Sequence, residues 1–152
     1  TLRPTGVFGE EDDFSPDSSH ILPKIIRDAY LNLLPDKIYA EKEEMRNWIY
    51  IGDLVKAIDS VIINVNRSLV LNIGSKESIS MYKLHQVILG SFVLIKQHFI
   101  DPNPSSFGRP MARNINCNLS EKVLGNYNDT EFKDGIDKTI NWYKDFLKNK
   151  KS

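Results

Sequence analysis

The sequence predicts an α/β protein, and three observations carry that reading. A short, nearly continuous apolar run, Leu69-Val70-Leu71-Asn72-Ile73, ends at Gly74, which is the pattern of a strand buried on both faces of a parallel sheet. Segments on either side of it keep apolar residues at helical spacing. The chain also opens on Leu2-Arg3-Pro4-Thr5, which has the look of a strand end.

From that opening, a loop rich in Gly, Asp, Glu and Pro runs to Pro16, with Gly9 and the acidic run Glu10 to Asp13 marking the turn. Ile21, Leu22, Ile25, Ile26 and Ala29 then predict a helix, with Ser18 or Ser19 as its N-cap and Pro23 confined to the first turn. Strands at 37–39 and 47–51, separated by a polar turn at 41–44, suggest a hairpin. Asp53 reads as the cap of a second helix whose face is formed by Leu54, Val55, Ile58, Val61, Ile62 and Val65.

Beyond the strand at 69–73, Ser80 can cap a third helix with Met81, Leu84, Val87 and Ile88 inward. Residues 91–100 fit either a continued helix or a strand. The stretch 101–113, with three prolines and a glycine, reads as loop. Leu119 to Leu124 predict a short helix stopped by Gly125, and Thr130 opens a last one with Phe132, Ile136, Ile140, Tyr143, Phe146 and Leu147 inward.

Composition narrows the function classes. The 152 residues, 41% apolar and 26% charged, suit one soluble globular unit rather than a disordered tail. Twenty basic against 20 acidic residues leave no global field to draw in nucleic acid or an anionic membrane. No stretch reads as a membrane span or signal peptide, and the single Cys117 excludes an internal disulfide framework, so cytoplasm is the expected compartment. His85 and His98 lack metal-ligand spacing, and no metal is assigned. The start at Thr1 suggests that the sequence is a fragment or a processed form.

Three segments together resemble a known family. Arg3-Pro4-Thr5-Gly6-Val7-Phe8-Gly9 is similar to the R-P-x-N-V-Y-G stretch of extended short-chain dehydrogenases/reductases, the NAD-dependent epimerase/dehydratase family. Arg46-Asn47-Trp48-Ile49-Tyr50-Ile51-Gly52-Asp53-Leu54 resembles their R-D-[FW]-I-[YH]-V-D-D-L, and Asn72-Ile73-Gly74-Ser75 their N-[IV]-G-[ST]-G. Order and spacing match, and 135–143 resembles the family's closing helix. Within the family, Asp13-Phe14-Ser15-Pro16 followed by Ser19-His20-Ile21-Leu22-Pro23 looks most like GDP-L-fucose synthases.

The resemblance implies the C-terminal half of a Rossmann-type enzyme. On that reading 1–9 and 68–75 give strands to the cofactor sheet, while 10–67 and 76–152 form a small mixed substrate lobe. It implies NADP or NAD as cofactor, held mainly by an upstream half with a Gly-rich loop and a Tyr-x-x-x-Lys pair, a nucleotide-diphosphate sugar as substrate, and a homodimer when complete. The expected reaction is 3,5-epimerisation and 4-reduction of a 4-keto sugar nucleotide. Simple 4-epimerisation, 4,6-dehydration and a non-catalytic binding role stay open, and the chain alone is expected to be inactive.

The site residues follow from the same resemblance. Pro4, Thr5, Gly6 and Val7 are expected against the nicotinamide, with Gly6 standing where the family carries Asn. His20 is expected to exchange protons in epimerisation, as suits a group with a pKa near ~6.5, or else to make a local bond at a helix start. Arg46 is expected to grip the diphosphate with its planar fork of donors, or else to pair with Glu43 or Glu44. Tyr39 reads as a substrate contact or a core aromatic, and Arg109 as a second diphosphate contact or a solvated loop residue. Ser105, Asp28 and Gly52 depart from the family pattern. Cys117 reads as a buried structural thiol.

Overall fold

The structure, a computed structural model, describes residues 1–93, 98–102 and 115–150. Its strands are β1 (Leu2–Pro4), β2 (Gly6–Phe8), β3 (Lys37–Tyr39), β4 (Met45–Arg46), β5 (Trp48–Tyr50), β6 (Leu71–Ile73), β7 (Ile79–Ser80) and β8 (Phe99–Asp101). Its helices are α1 (Ile21–Tyr30), α2 (Ile51–Asn64), α3 (Met81–Gly90), α4 (Asn118–Leu124) and α5 (Phe132–Asn149). The α/β expectation holds.

The strands pair in four couples. β1 lies parallel to β6, with Arg3 opposite Asn72, and β2 lies parallel to β5, with Val7 opposite Ile49. The opening segment therefore serves two partners in turn. The change of partner falls at Thr5, whose amide still donates to the Ile73 carbonyl at 2.8 Å. β3 runs parallel to β8, and β4 antiparallel to β7.

This pairing overturns the hairpin expected from 37–51. Tyr39 and Trp48 belong to different couples, because β3 finds β8 and β5 finds β2. Two apolar runs joined by a polar turn look alike whether they pair with each other or with distant strands; only non-local partners decide, and these lie 42 and 62 residues away.

Three caps also differ from expectation. His20, rather than Ser18 or Ser19, occupies the N-cap of α1, while Ser18 bonds Asp13 and Ser15. Asp53 lies inside the first turn of α2, behind the N-cap Tyr50, and is completely buried. There its carboxylate accepts from the Thr130 amide at 3.2 Å and hydroxyl at 2.8 Å, tying α2 to the segment ahead of α5. Thr130 is therefore a latch, and α5 opens from Glu131. Ser80 does cap α3, its hydroxyl accepting from the Lys83 amide at 3.1 Å, and α4 ends at Gly125, whose φ of 75° suits glycine.

Two larger apolar clusters organise the packing, beside a small third one at Ala29, Leu34 and Ile38. The larger joins Phe8, Leu22, Ile26, Trp48, Leu84 and Ile136 among others, with aromatic rings layered on its rim: Phe14 stacks on Tyr143 at 4.2 Å between centroids. Gly135 lets α5 approach Phe8 closely; a Cβ there would stand 3.0 Å from the Phe8 ring. The second cluster gathers Ile49, Ala57, Leu71, Ile73, Leu124 and Tyr127 beneath α2 and α4.

The face expected for α2 is only partly the buried one. Leu54, Val61 and Val65 pack on the second cluster, whereas Val55, Ile58, Ile62 and Ile63 are exposed, the last two by 75% and 78%. α2 is apolar on two sides, so period alone does not choose between them. Among the described residues no helix is long and apolar enough to cross a membrane.

Candidate functional site

A cavity of about 1070 Å³ opens where the first segment changes sheet partners. Its floor comes from Thr5 to Phe8, one wall from the loop Gly9 to Asp12 and the start of α1, and the other from Glu44, Arg46, Asn47 and Trp48. The position has a topological reason: strands that diverge to different partners leave a crevice at their carboxyl ends.

Of the expected site residues, Thr5, Gly6, Val7, His20 and Arg46 line this one cavity. Pro4 lies just before it, in β1, paired with Ile73. Tyr39 stands apart: it is 58% exposed on β3, with the Lys37 ammonium 4.8 Å from its ring centroid, so it is neither a core aromatic nor part of the cavity lining. Arg109 and Ser105 lie outside the described residues.

At His20 the backbone takes the extended conformation of an N-cap, but the imidazole makes no capping bond to α1. It stands within electrostatic reach of Asp12 and Asp13. Those neighbours behave oppositely. Burial pushes the Asp12 carboxyl above the usual carboxylate range, whereas hydrogen bonds from Ser15 and Ser18 hold exposed Asp13 down at about 2. Among the described residues, the buried Asp12 Oδ2 and Thr5 Oγ1 have no hydrogen-bond partner, and both residues line the cavity.

Arg46 enters the wall on β4. Its Nη1 donates to the Met45 carbonyl at 3.0 Å, and its Nη2 pairs with the Glu44 carboxylate. The pairing with Glu44 and the place in the cavity lining thus coexist.

Gly6, which replaces a family Asn, has a steric cause in this chain. A Cβ there would come within 2.7 Å of Trp48 Cδ1, so the indole occupies the room a side chain would need. Gly52 behaves alike, with Tyr50 Cε1 2.6 Å from the built Cβ.

Three contributors were given no site role in the sequence reading. Asn47, buried between β4 and β5, donates to the Ser75 and Glu77 carbonyls at 2.8 and 3.1 Å and accepts from the Ser75 amide at 2.9 Å. This fixes the wall to the loop after β6. Tyr50 donates to both Glu10 carboxylate oxygens at 2.8 and 2.9 Å, and its phenol is pushed up to about 12 by burial and then by Glu10. Glu44 is the third. A polar residue at a strand junction, flanked by apolar ones, was the available signal for Asn47; nothing local marked Glu10, and Glu44 was expected only as an alternative partner of Arg46, without a place in the site. Cys117 is buried as expected, and that burial raises its thiol.

With this geometry in place, comparison with known proteins is direct. Residues 1–74 match the NAD dependent epimerase/dehydratase family. The chain is 24% identical over 152 residues to the putative GDP-L-fucose synthase 2 of Arabidopsis thaliana, covering 97% of this chain and 45% of that protein. It is 28% identical over 92 residues to the GDP-L-fucose synthase of Sinorhizobium fredii, covering 58% of this chain and 29% of that one.

Among solved structures, a GDP-L-fucose synthetase from Naegleria fowleri superposes with a TM-score of 0.82 at 19% identity, over 99% of this chain and 46% of that one. A UDP-glucose 4-epimerase from Thermotoga maritima, solved with UDP-glucose, gives 0.78 at 18% identity, over 96% and 46%. These superpositions establish the fold. The chain is similar to the NAD-dependent epimerase/dehydratase family, whose model matches residues 1–74, just under half of its length. It spans about half the length of the relatives it matches.

Proposed function

We propose that this chain is the nucleotide-sugar-binding half of an NAD(P)-dependent enzyme that epimerises C3 and C5 of a 4-keto sugar nucleotide and reduces the ketone, as a GDP-L-fucose synthase does. The observation that carries the proposal is the convergence of Thr5, Gly6, Val7, His20 and Arg46 on one cavity. The names of the relatives, GDP-L-fucose synthases at 24% and 28% identity, support the same reading.

Each residue then has a physical task. Arg46 offers a guanidinium for a diphosphate, which a planar donor fork engages in two bonds at once. His20 is one member of an acid–base pair: a base takes the proton from the carbon beside the ketone, the electrons move onto the carbonyl oxygen, and an acid returns a proton to the opposite face. The absence of a capping bond leaves its ring available for that exchange.

Thr5 to Val7 would hold a nicotinamide edge. The buried, unpartnered Thr5 hydroxyl fits a ligand with a polar rim such as a carboxamide, and the small Gly6 keeps the backbone approachable. When bound, the nicotinamide supplies the hydride that reduces the ketone. The main cofactor contacts and the tyrosine–lysine pair are proposed to come from sequence that these 152 residues do not contain, so no turnover is expected from them alone.

The test replaces His20 by Ala in the complete enzyme and follows solvent deuterium into C3 and C5 of the sugar. Loss of exchange by about 10²-fold or more, with nucleotide-sugar affinity kept, is the expected result. Exchange at the wild-type rate would remove His20 from the chemistry. Calorimetric titration with GDP, UDP, dTDP and CDP identifies the nucleotide, and selective GDP binding is expected.

A further inference from the structure

The guanidinium that should meet the ligand already has an anion. Glu44 is two residues from Arg46, and its carboxylate pairs with Arg46 Nη2 while Nη1 is taken by the Met45 carbonyl. Both side chains are mostly buried, at 10% and 16% exposure, and both line the cavity. The Glu44 backbone is held in place, its carbonyl accepting from the Met81 amide at 3.0 Å and its strand neighbours pairing with β7, so the carboxylate can leave Arg46 only by rotating its side chain. The cavity lining adds Glu10, Glu11 and Asp12.

A carboxylate and a phosphate compete for the same in-plane donors of a guanidinium. A ligand that engages Arg46 through its Nη2 edge must therefore displace Glu44 and leave that carboxylate without its cation in a partly buried site, which is costly. A ligand with one weak negative charge gains too little from Arg46 to offset this. A diphosphate, with more charge and more acceptor oxygens, gains more.

We propose that Glu44 is a built-in competitor for Arg46, which sets the affinity of the site for diphosphates and discriminates against singly charged anions. The proposal rests on the reading of Arg46 as the diphosphate contact. It assigns to Glu44 a role in specificity that the ion pair alone, taken as a structural feature, would not have.

The experiment titrates the complete enzyme with inorganic pyrophosphate, and separately with acetate, by calorimetry at fixed pH and salt. Wild type is compared with Glu44→Gln, Arg46→Gln and the double variant, with circular dichroism confirming the fold of each. Glu44→Gln is expected to tighten pyrophosphate binding about ten-fold and to make acetate binding measurable, because the amide still fills the space without holding the cation. Arg46→Gln should weaken pyrophosphate binding about ten-fold, and the double variant should lose the gain. If Glu44→Gln fails to fold, Glu44→Asp carries the same test at smaller amplitude, since the shortened carboxylate reaches the guanidinium less well.

Pyrophosphate affinity unchanged or weakened in Glu44→Gln, with Arg46→Gln still weakening it, would overturn the competitor role and leave the diphosphate reading standing. Pyrophosphate binding indifferent to Arg46→Gln would overturn both.

Discussion

The two larger apolar clusters are built differently. Around Phe8, Trp48, Leu84 and Ile136, helices α1, α3 and α5 close on one another and aromatic rings seal the rim, so nearly every large side chain has an apolar neighbour. Around Ile49, Leu71 and Ile73, the β1–β6 couple, two-stranded among the described residues like the other three, is covered by α2, which turns Val55, Ile58, Ile62 and Ile63 to solvent. Two strands do not make a stable sheet on their own. The first region satisfies itself, and the cavity sits on its edge; the second holds together through α2, α4 and a few buried polar ties.

Substitutions can break that contrast. The largest effect is expected in the self-sufficient region: Ile136→Ala, at a fully buried position, should cost about 3 to 4 kcal/mol in a denaturant titration. Next comes the tie that fastens α2. Asp53→Ala removes an acceptor completely buried against Thr130 and should cost about 2 to 3 kcal/mol, with hydrogen exchange rising first in the turn ahead of α5 rather than across α1. A uniform rise over the whole chain would show that the two regions unfold as one.

Between them stands Gly6→Asn, which drives a side chain into Trp48 and should cost about 1 to 3 kcal/mol, visible as a shift in tryptophan fluorescence. Simultaneous Trp48→Phe should recover part of the loss.

A pH effect sharpens the picture within α3. Burial holds the His85 imidazole below its ordinary value, with the bond to the Met81 carbonyl as a smaller opposing influence. The unfolded chain therefore takes up this proton at higher pH than the folded one. The contribution of neutral His85 is fully present above about 6.5 and is lost as pH falls through the window from there to the lowered folded value. His85→Gln, which can still donate to Met81, should flatten the stability profile between pH 7 and 5; an unchanged slope would place the linkage elsewhere. The smallest effect belongs to the bare face: Ile62→Ser should change stability by no more than about 0.5 kcal/mol.

The same contrast explains what was legible in the sequence. The elements were readable because their signals are local: Ser80 ahead of α3, Gly125 behind α4, and the apolar run ending at Gly74. The family motifs at 3–9, 46–54 and 72–75 then pointed to the cavity wall, since Thr5 to Val7 and Arg46 lie within them. What failed was whatever depended on distant partners. The hairpin at 37–51 was lost because β3 and β5 each pair far along the chain, and Asp53 looked like a cap because its real partner, Thr130, is 77 residues away. Glu44 was invisible as a competitor because a carboxylate two residues from an arginine is ordinary on any surface; burial of both side chains in one cavity wall gives it weight.

Gly6 and Trp48 carry a consequence for how such a chain can change over time. With the indole lying 2.7 Å from where a Cβ would stand, any larger residue at position 6 requires the Trp48 ring to shift. The two positions are therefore coupled: a side chain at 6 and the ring at 48 share one space, so a change at either alters what the other can hold at the cavity floor.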